Sequence, residues 1–300
     1  QFFQKLGIPN IGVEPTKSTA EAAKGKGLNV IGEFFGVELS HKLVTTYKKA
    51  DLIVCNNVLA HVPNINDFCE GIAVLLADDG VATFEFPHLI NLIEEVQFDT
   101  IYHEHFSYLS LYSVKIIFEH CGLEIFDVEN LNTHGGSLRV YAQQKNCSSK
   151  KIESTVQKVL EQEINAGIRD VEYYKNFGKR VKDIRINTLN FLIDCHFKNL
   201  EVVGYGAAAK GNTLLNYFGI KRELIAYVVD RSPGKLEKYL PGSRIPVVEE
   251  EKLRETKPNF VIIFPWNLKK EITNQLSYVF EWDCKLVTLI PELDIIESSH

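Results

Sequence analysis

Hydrophobic and polar positions in the first half of the chain alternate between strand and helix patterns. Ile11–Glu14 is a short apolar run that ends in an acid, and the alanine-rich segment that begins at Thr16 has helical spacing. Asp51–Cys55 and Gly80–Phe86 are further apolar runs of strand length, with helical periodicity between them over Asp67–Leu76. Because strands that alternate with helices form parallel sheets covered on both faces, the pattern predicts an α/β domain.

The pattern changes further along the chain. Leu123–Val128 and Ser137–Gln143 have the composition of two strands joined by a turn, which is typical of an antiparallel pair. Apolar residues then recur at three- and four-residue steps over Ile152–Ile164 and about Val171–Phe197. This spacing predicts long helices, and their charged residues are expected to form a solvated face.

A second α/β unit follows the helices. Glu201–Gly204 is predicted to be a strand that leads through a glycine-rich turn into a helix over Asn212–Phe218. Further strands are predicted at Ile225–Asp230, Asn259–Phe264 and Lys285–Ile290. The predicted domains are an N-terminal α/β domain at 1–146, a helical connector at 147–198 and a C-terminal α/β domain at 199–300.

Composition narrows the class of protein. The chain has 300 residues, which favours two domains, and its 45% hydrophobic and 24% charged residues are ordinary for a globular protein. A net charge of -6 disfavours a nucleic-acid surface, since phosphate binding requires clustered Lys and Arg. The six cysteines have no short paired spacing, which favours free thiols in a reducing compartment. No apolar run approaches the roughly 20 residues that span a bilayer, and no signal peptide is evident, so we expect a cytoplasmic protein without a membrane partner.

The segment Tyr102-His103-Glu104-His105 concentrates groups that exchange protons near neutral pH. Two imidazoles, a carboxylate and a phenol lie within four residues of an otherwise apolar segment, which favours general acid–base chemistry over a purely structural role. The spacing is not the His-Glu-x-x-His of a zinc-binding helix. His103 and His105 would share one face of an extended segment, but no third ligand is evident, so we expect no metal there.

Strand ends carry further candidate residues, each with more than one interpretation. Gly204-x-Gly206-x-x-Ala209, with Asp230 ending the next strand, resembles a nicotinamide dinucleotide fingerprint, whereas the following Lys210 is a cation better suited to a diphosphate. A tight strand–helix turn with a surface lysine explains the same residues. Glu14 is placed either to bind ribose hydroxyls or to stabilise a helix N-terminus. His61, near the carboxyl end of a strand, fits a ligand site or a core or capping role.

Five motifs along the chain resemble those of the S-adenosylmethionine-dependent sugar C-methyltransferases, which act on nucleotide-linked keto-sugars. They are Asp51–His61, Phe98–His105, His134–Arg139, Gly204–Asn216 and Pro265–Asn267, and together they span nearly the whole chain. The resemblance implies a Rossmann-like class I methyltransferase domain and a second Rossmann-like domain that helps to bind the nucleotide sugar. It also implies a preceding segment with a structural zinc site, a first strand and a glycine-rich cofactor loop. We therefore expect the methyltransferase domain to be truncated at its start.

The resemblance also implies roles for individual residues. His105 matches the family's proposed catalytic base, with Tyr102 and Glu104 beside it and His61 across the site. On chemical grounds we expect Glu104 or Tyr102 to orient His105 or support the enolate, and His61 to donate toward developing charge. Lys210 matches a cation near the diphosphate. Because Glu14 and the Asn56-Asn57 loop lie at strand ends of the first domain, we expect them to line the S-adenosylmethionine site, with Phe34 or Phe35 near the adenine. The further expected substrate contacts are Asn212, Ser137, Arg139, Trp266 and Asn267.

The residue types support this chemistry independently. A carbon becomes nucleophilic when a base removes the proton beside a ketone and donors stabilise the enolate, a step that needs no metal. Two alternatives stay open: an NAD-dependent oxidoreductase that uses Gly204, Gly206 and Asp230, and a non-catalytic nucleotide-sugar-binding protein. The expected partner is a nucleotide sugar, and the expected assembly is a monomer or a small homo-oligomer.

Overall fold

The computed structural model describes residues 1–147 and 149–298, which form two compact units. The first unit comprises Gln1–Phe86, Phe106–Leu131 and Leu138–Glu163, and the second comprises Pro87–His105, Asn132–Ser137 and the chain from Ile164 onward. Two short excursions, 87–105 and 132–137, therefore group with the C-terminal part of the chain. The units are discontinuous, unlike the three consecutive segments predicted from the sequence, because hydrophobic periodicity does not indicate which core a short connecting segment joins.

Helices and strands occupy most of the positions that the hydrophobic pattern predicts. The helices are α1 (Phe2–Lys5), α2 (Lys17–Gly25), α3 (Val37–Tyr47), α4 (Ile65–Leu75), α5 (Leu89–Glu94), α6 (Leu111–His120), α7 (Ser154–Ala166), α8 (Val171–Lys175), α9 (Phe177–Phe197), α10 (Ala209–Phe218), α11 (Glu251–Thr256) and α12 (Lys269–Gln275). The strands are β1 (Gly12–Val13), β2 (Val30–Ile31), β3 (Ala50–Asn56), β4 (Leu76–Pro87), β5 (Leu123–Leu131), β6 (Ser137–Gln144), β7 (Val202–Tyr205), β8 (Val228–Val229), β9 (Val247–Val248), β10 (Phe260–Ile263), β11 (Lys285–Thr288) and β12 (Asp294–Ile296). Short 3-10 turns include Leu59–His61, Phe98–Thr100, Thr133–Gly135 and Trp266–Leu268.

The first unit contains two sheets. β1 and β2 pair in parallel as a two-stranded sheet, and a four-stranded sheet has the order β3-β4-β6-β5. β3 and β4 are parallel, with Cys55 opposite Phe84. β5 and β6 form the predicted antiparallel pair, since the Lys145 N–H just after β6 donates to the Gly122 carbonyl just before β5.

Alternation along β4 determines which side chains form the core of the first unit. Ala82, Phe84 and Phe86 follow one another at two-residue steps and are fully buried. The Phe84 ring packs on Phe118 of α6 with a centroid separation of 4.6 Å. Burying each phenylalanine contributes about 1.5–3 kcal/mol, so this contact anchors α6 on the sheet.

A buried carboxylate fixes the beginning of α6. Glu163, near the end of α7, is fully buried, and its two oxygens accept the N–H groups of Leu111 at 2.5 Å and Tyr112 at 2.7 Å. The first N–H groups of a helix have no partner within the helix, and the helix dipole favours a negative charge at that end. Glu163 therefore connects α7 to α6 by charge-assisted hydrogen bonds.

The second unit is built on a six-stranded sheet of order β12-β11-β10-β7-β8-β9. β12 is antiparallel to β11, and the other neighbouring strands are parallel. The chain leaves β7 for β8 on one side and later returns to β10 on the other, so the carboxyl ends of β7 and β10 form a topological switch point. Ligands of open α/β sheets bind at such a point.

The helices predicted after Cys147 are present, but the second is divided. The single helix predicted over about Val171–Phe197 is two helices, α8 and α9, which meet at Asn176. Asn176 and Gly178 have low helix propensity, and they lie at the break. Within residues 1–147 and 149–298, no helix is long and apolar enough to cross a membrane.

Candidate active site

Three of the predicted substrate residues lie together at the switch point of the second unit. Lys210 is in the first turn of α10, after β7, and Trp266 and Asn267 form the 3-10 turn after β10. The Lys210 Nζ lies 4.4 Å from the centroid of the Trp266 ring and donates to Asn267 Oδ1 at 3.0 Å. A cation over an indole face is attracted by the ring's quadrupole, so this arrangement holds the ammonium group in place.

Asp99 joins this group and was not selected by the sequence analysis. It lies in the 3-10 turn Phe98–Thr100, is fully buried, and accepts the Trp266 Nε1–H at 2.8 Å through Oδ2. Its other oxygen, Oδ1, is buried without a hydrogen-bond partner among the described residues. Burial raises the pKa of Asp99 to about 6, although the indole hydrogen bond and the charge of Lys210 oppose this rise. Burial also lowers the pKa of Lys210, and Asp99 opposes that change.

His105 is oriented by the same turn. Its Nδ1 lies 2.8 Å from the Thr100 carbonyl oxygen, and its ring stacks on Tyr102 with centroids 4.6 Å apart and planes 28° apart. His105 and Tyr102 are half-buried, whereas His103 and Glu104 are exposed. The motif therefore presents one oriented imidazole, backed by a phenol ring, and a second imidazole in solvent.

The turn at 132–137 also contacts Trp266. Gln97 Nε2 donates to the Gly135 carbonyl at 2.7 Å, and a Cβ on Gly135 would overlap the Trp266 ring. Gly135 has a φ of +90°, so a side chain there would be strained as well as obstructed. Ser137, a predicted substrate residue, is buried and donates to the Thr133 carbonyl at 3.0 Å, which closes this turn.

Two other predicted substrate residues have partners within their own units. Arg139, on β6 of the first unit, lies 2.9 Å from Glu85 and 3.5 Å from Glu129, and the hydrogen bond with Glu85 raises the pKa of Arg139. Asn212, on α10 of the second unit, accepts the side-chain N–H of Asn216. Their roles toward substrate stay predictions.

The predicted cofactor residues lie at carboxyl ends of strands in the first unit. Glu14 follows β1, and its Oε1 accepts the Thr16 N–H at 2.8 Å. Phe34 follows β2 with 80% of its side chain exposed, whereas Phe35 packs edge-on against Phe68 at 5.3 Å. Between the two phenylalanines, the geometry favours Phe34 as the ring that could stack on an adenine.

The loop after β3 carries the other candidates of the first unit. Asn56 is exposed, and Asn57 has a φ of +53° and donates its N–H to the Glu85 carbonyl at 2.7 Å. His61 is half-buried in the 3-10 turn Leu59–His61, and the neighbouring Ala60 carbonyl accepts backbone N–H groups. The proton-donor role of His61 stays a prediction.

Asp230 has partners within the second unit. Its Oδ2 accepts the Ala207 N–H at 2.8 Å and lies 3.1 Å from Lys235, and its Oδ1 accepts the Ser232 N–H at 2.8 Å. These contacts stabilise the turn after β7 and explain the residue without a ribose contact. Asp230 therefore does not by itself favour the NAD alternative.

Metal ligation finds no support in the described residues. Among residues 1–147 and 149–298, no group of three or more His, Cys, Asp or Glu side chains could hold a metal ion. His105 directs Nδ1 at a backbone carbonyl, so that nitrogen carries a hydrogen and is not a metal ligand in this arrangement.

Comparison with known proteins identifies the class. Residues 1–128 match the family described as "Methyltransferase domain", and residues 132–291 match the family described as "C-methyltransferase C-terminal domain". The C-methyltransferase NovU from Streptomyces niveus is 32% identical over 298 residues, which cover 99% of this chain and 71% of NovU.

Several solved structures similar to the chain are named as methyltransferases. They include magnesium protoporphyrin IX methyltransferase (ChlM) from Synechocystis PCC 6803, with 14% identity, a TM-score of 0.36, and coverage of 47% of this chain and 66% of that one. A possible histamine N-methyltransferase from Thermotoga maritima has 17% identity, a TM-score of 0.36, and coverage of 48% and 76%. At these TM-scores the likeness adds nothing to the family matches.

The family matches and the α/β units define an S-adenosylmethionine-dependent methyltransferase that transfers its methyl group to carbon. The chain belongs to the C-methyltransferase family that its five motifs resemble.

Proposed function

We propose that this enzyme methylates a carbon beside the ketone of a nucleotide-diphosphate keto-sugar, with His105 as the base. The observation that carries the proposal is the hydrogen bond between His105 Nδ1 and the Thr100 carbonyl. A carbonyl oxygen only accepts, so Nδ1 carries the hydrogen and the neutral ring has Nε2 as its basic nitrogen. In this tautomer, Nε2 has the lone pair that would accept a proton from carbon.

The neighbours of His105 suit the charge that develops. Proton removal leaves an electron pair that moves onto the ketone oxygen, and that oxygen needs a donor. Tyr102, stacked on His105, carries a phenol that can supply such a hydrogen bond. Glu104 is exposed beside the pair, and we assign it to orienting the imidazolium once the proton is on Nε2.

The second unit also supplies an anchor for a diphosphate. Lys210 is a cation held over Trp266 at the carboxyl end of the sheet, where α/β folds bind ligands. Its ammonium group has three donors, of which one serves Asn267. A charge-assisted contact from Lys210 to the diphosphate would hold the substrate and add little to the chemical step.

The first unit has residues that fit S-adenosylmethionine, which when bound supplies an electrophilic methyl group. Glu14 Oε1 accepts the Thr16 N–H, and Oε2 has no hydrogen bond from the described residues, so Oε2 would accept a ribose hydroxyl. The exposed Phe34 ring would cover one face of the adenine, and Asn56 and Asn57 would provide polar contacts at the end of β3.

Substitution of the two motif histidines tests the proposal. His105→Asn is expected to reduce methyl transfer to nucleotide-diphosphate keto-sugars by about 10²–10⁴-fold, the usual contribution of a general base, without loss of ligand binding. His103→Asn is the matched control, because His103 is exposed two residues away. It should retain the parental rate.

Isotope exchange isolates the proton-transfer step. With S-adenosylhomocysteine in place of the methyl donor, the parent enzyme should exchange solvent deuterium into the sugar carbon beside the ketone, and His105→Asn should not. Undiminished exchange in His105→Asn would exclude His105 as the base. Absence of methyl transfer by the parent over a panel of nucleotide-diphosphate keto-sugars would contradict the substrate class.

A further inference from the structure

Asp99 has no role in the function proposed above, yet it is connected to both the proposed diphosphate anchor and the proposed base. Its carboxylate is fully buried, Oδ2 accepts the Trp266 indole N–H at 2.8 Å, and Oδ1 has no hydrogen-bond partner in the described part of the chain. Burying a carboxylate is unfavourable unless it is paired and hydrogen-bonded. An apolar side chain would be buried here at a lower cost in free energy, so we expect the acid to have a functional role.

We propose that Asp99 is a positioning residue that holds the Trp266 platform beneath Lys210 and the turn that orients His105. The proposal deepens the proposed function and rests on it for the roles of Lys210 and His105.

The first connection leads to the substrate anchor. The Asp99–Trp266 hydrogen bond fixes the rotation of the indole, and Lys210 lies 4.4 Å from the centre of that ring. Gly135 packs so closely on the other atoms of the ring that a Cβ there would overlap it. The indole is therefore held at its N–H by Asp99 and at its edge by the 132–137 turn, and its face is set for the ammonium group.

The second connection leads to the base. Asp99 is the middle residue of the 3-10 turn Phe98–Thr100, and the carbonyl of Thr100 accepts the His105 Nδ1–H. Phe98, on the other side of Asp99, stacks on Phe218 of α10 at 5.5 Å. Phe98 packs on α10 and Asp99 is hydrogen-bonded to Trp266, so two side chains of the turn are fixed. The turn therefore holds the Thr100 carbonyl in a fixed direction toward His105.

Charge strengthens the first attachment. A hydrogen bond to an ionised carboxylate is roughly twice as strong as one to a neutral acceptor. The titratable side chains on the elements around Asp99 are Lys210 and Tyr217 on α10, His134 on the 132–137 turn, and Tyr102, His103, Glu104 and His105 on its own segment; Trp266 and Asn267 carry no charge. Lys210 is the one that acts on Asp99 electrostatically, and it favours the ionised form.

Indole NMR tests the Asp99–Trp266 contact without any substrate. The chain has two tryptophans, and Trp282 donates its Nε1–H to the Pro258 carbonyl, which does not titrate, so it is an internal control. The Trp266 Nε1–H resonance is expected to titrate with a midpoint near pH 6, the pKa of Asp99. The titration should persist in His105→Asn and in His134→Asn and disappear in Asp99→Asn. Its persistence in Asp99→Asn would overturn the proposal.

Imidazole NMR tests the connection to His105. In the parent at pH 8, the His105 nitrogen shifts should report a hydrogen on Nδ1. In Asp99→Asn and in Trp266→Phe this tautomer should lose its preference, whereas Asp183→Asn, an exposed acid on α9, should leave it unchanged. Trp266→Phe serves as the second variant if Asp99→Asn does not fold. An unchanged His105 tautomer in both variants would overturn the positioning role.

The pH profile of activity gives a readout that a merely structural residue would not alter. Protonation of Asp99 weakens the same hydrogen bond that Asp99→Asn weakens, so the two forms should become alike at low pH. At pH 8, kcat/KM of Asp99→Asn should be about 10- to 100-fold below that of the parent, as expected for small misplacements of catalytic groups, and this difference should shrink as the pH falls through about 6. A difference that stays the same at every pH would refute the inference.

A double variant and the substrate-free data separate this inference from the proposed function. Asp99→Asn and Trp266→Phe should be non-additive, because each removes the same hydrogen bond; additive losses would count against the proposal. If the parent enzyme methylates no nucleotide keto-sugar, the proposed function fails while the NMR titrations still decide the Asp99 contacts. If methyl transfer is confirmed and the NMR signatures do not change, the Asp99 inference fails alone.

Discussion

Asp99→Asn is expected to make the folded protein more stable above pH 6. Burial raises the pKa of Asp99 from 3.8 to about 6. Below pH 3.8, Asp99 is protonated in both the folded and the unfolded chain, and it does not reduce the free energy of unfolding. Between the two pKa values the unfolded chain has released its proton while the folded protein has kept it, so stability falls as the pH rises; above pH 6 the loss is complete. Asparagine has no proton to release and escapes this loss.

The magnitude follows from the difference between the two pKa values. The rise from 3.8 to about 6 is about 2.2 units, which at about 1.36 kcal/mol per unit corresponds to about 3 kcal/mol. At pH 4.5, Asp99 is already largely ionised in the unfolded chain, so about 1 kcal/mol of the free energy of unfolding has been lost at that pH. About 2 kcal/mol therefore falls between pH 4.5 and 7.5. The amide oxygen of asparagine can still accept the Trp266 N–H, and any difference in packing is the same at every pH.

Urea unfolding of parent and variant at several pH values between 4.5 and 7.5 measures this difference. Both tryptophans lie in the second unit, so their fluorescence follows the unit that contains Asp99. The free energy of unfolding of Asp99→Asn minus that of the parent should increase by about 2 kcal/mol over this range. Asp183→Asn should follow the parent. A difference that does not change with pH would refute the reasoning, whatever its absolute size.

Three further substitutions have defined outcomes. Glu163→Gln replaces one acceptor of a backbone N–H with a donor, so the free energy of unfolding of the first unit should fall by about 2 kcal/mol in urea titrations. The control Glu161→Gln, at an exposed position, should stay within about 0.5 kcal/mol of the parent. An unchanged urea midpoint for Glu163→Gln would contradict the argument. Lys210→Ala should raise KM for the nucleotide sugar by at least tenfold with a smaller effect on kcat in steady-state assays; an unchanged KM would exclude the diphosphate contact. Glu14→Ala should weaken S-adenosylhomocysteine binding by calorimetry, and equal affinity would exclude a ribose contact.

The strands of the first unit show what local pattern can predict. The runs at 51–55 and 80–86 lie within β3 and β4, and the periodicity over 67–76 matches α4 to within two residues. These elements are long enough for their apolar spacing to be distinctive. β1 and β2, of two residues each, form a separate small sheet instead of extending the larger one. So short a strand has little hydrophobic pattern from which its sheet neighbours could be inferred.

Asp99 shows what the sequence does not contain. The residue lies inside a motif that was recognised, but its partner Trp266 is 167 positions away, and no local rule connects a buried acid to an indole at that separation. Periodicity predicts which residues face a core, and it does not predict which polar group will meet another inside it. The one available signal was an acid between Phe98 and Ile101, in a segment where an unpaired charge would be unfavourable.

The glycines of the second unit show how a weak signal for one function can be a strong signal for another. Gly204 was interpreted as part of a possible nucleotide-binding turn, yet a Cβ on Gly204, or on Gly211 in the following helix, would overlap Phe264. Gly206, with a φ of +91°, lies against Pro265, and Gly135 lies against Trp266. Glycines from two distant motifs thus make room for the same three residues after β10. Trp266 contacts both Lys210 and Asp99. The close packing of these glycines therefore fixes the ring on which, in our proposal, the substrate anchor and the base depend.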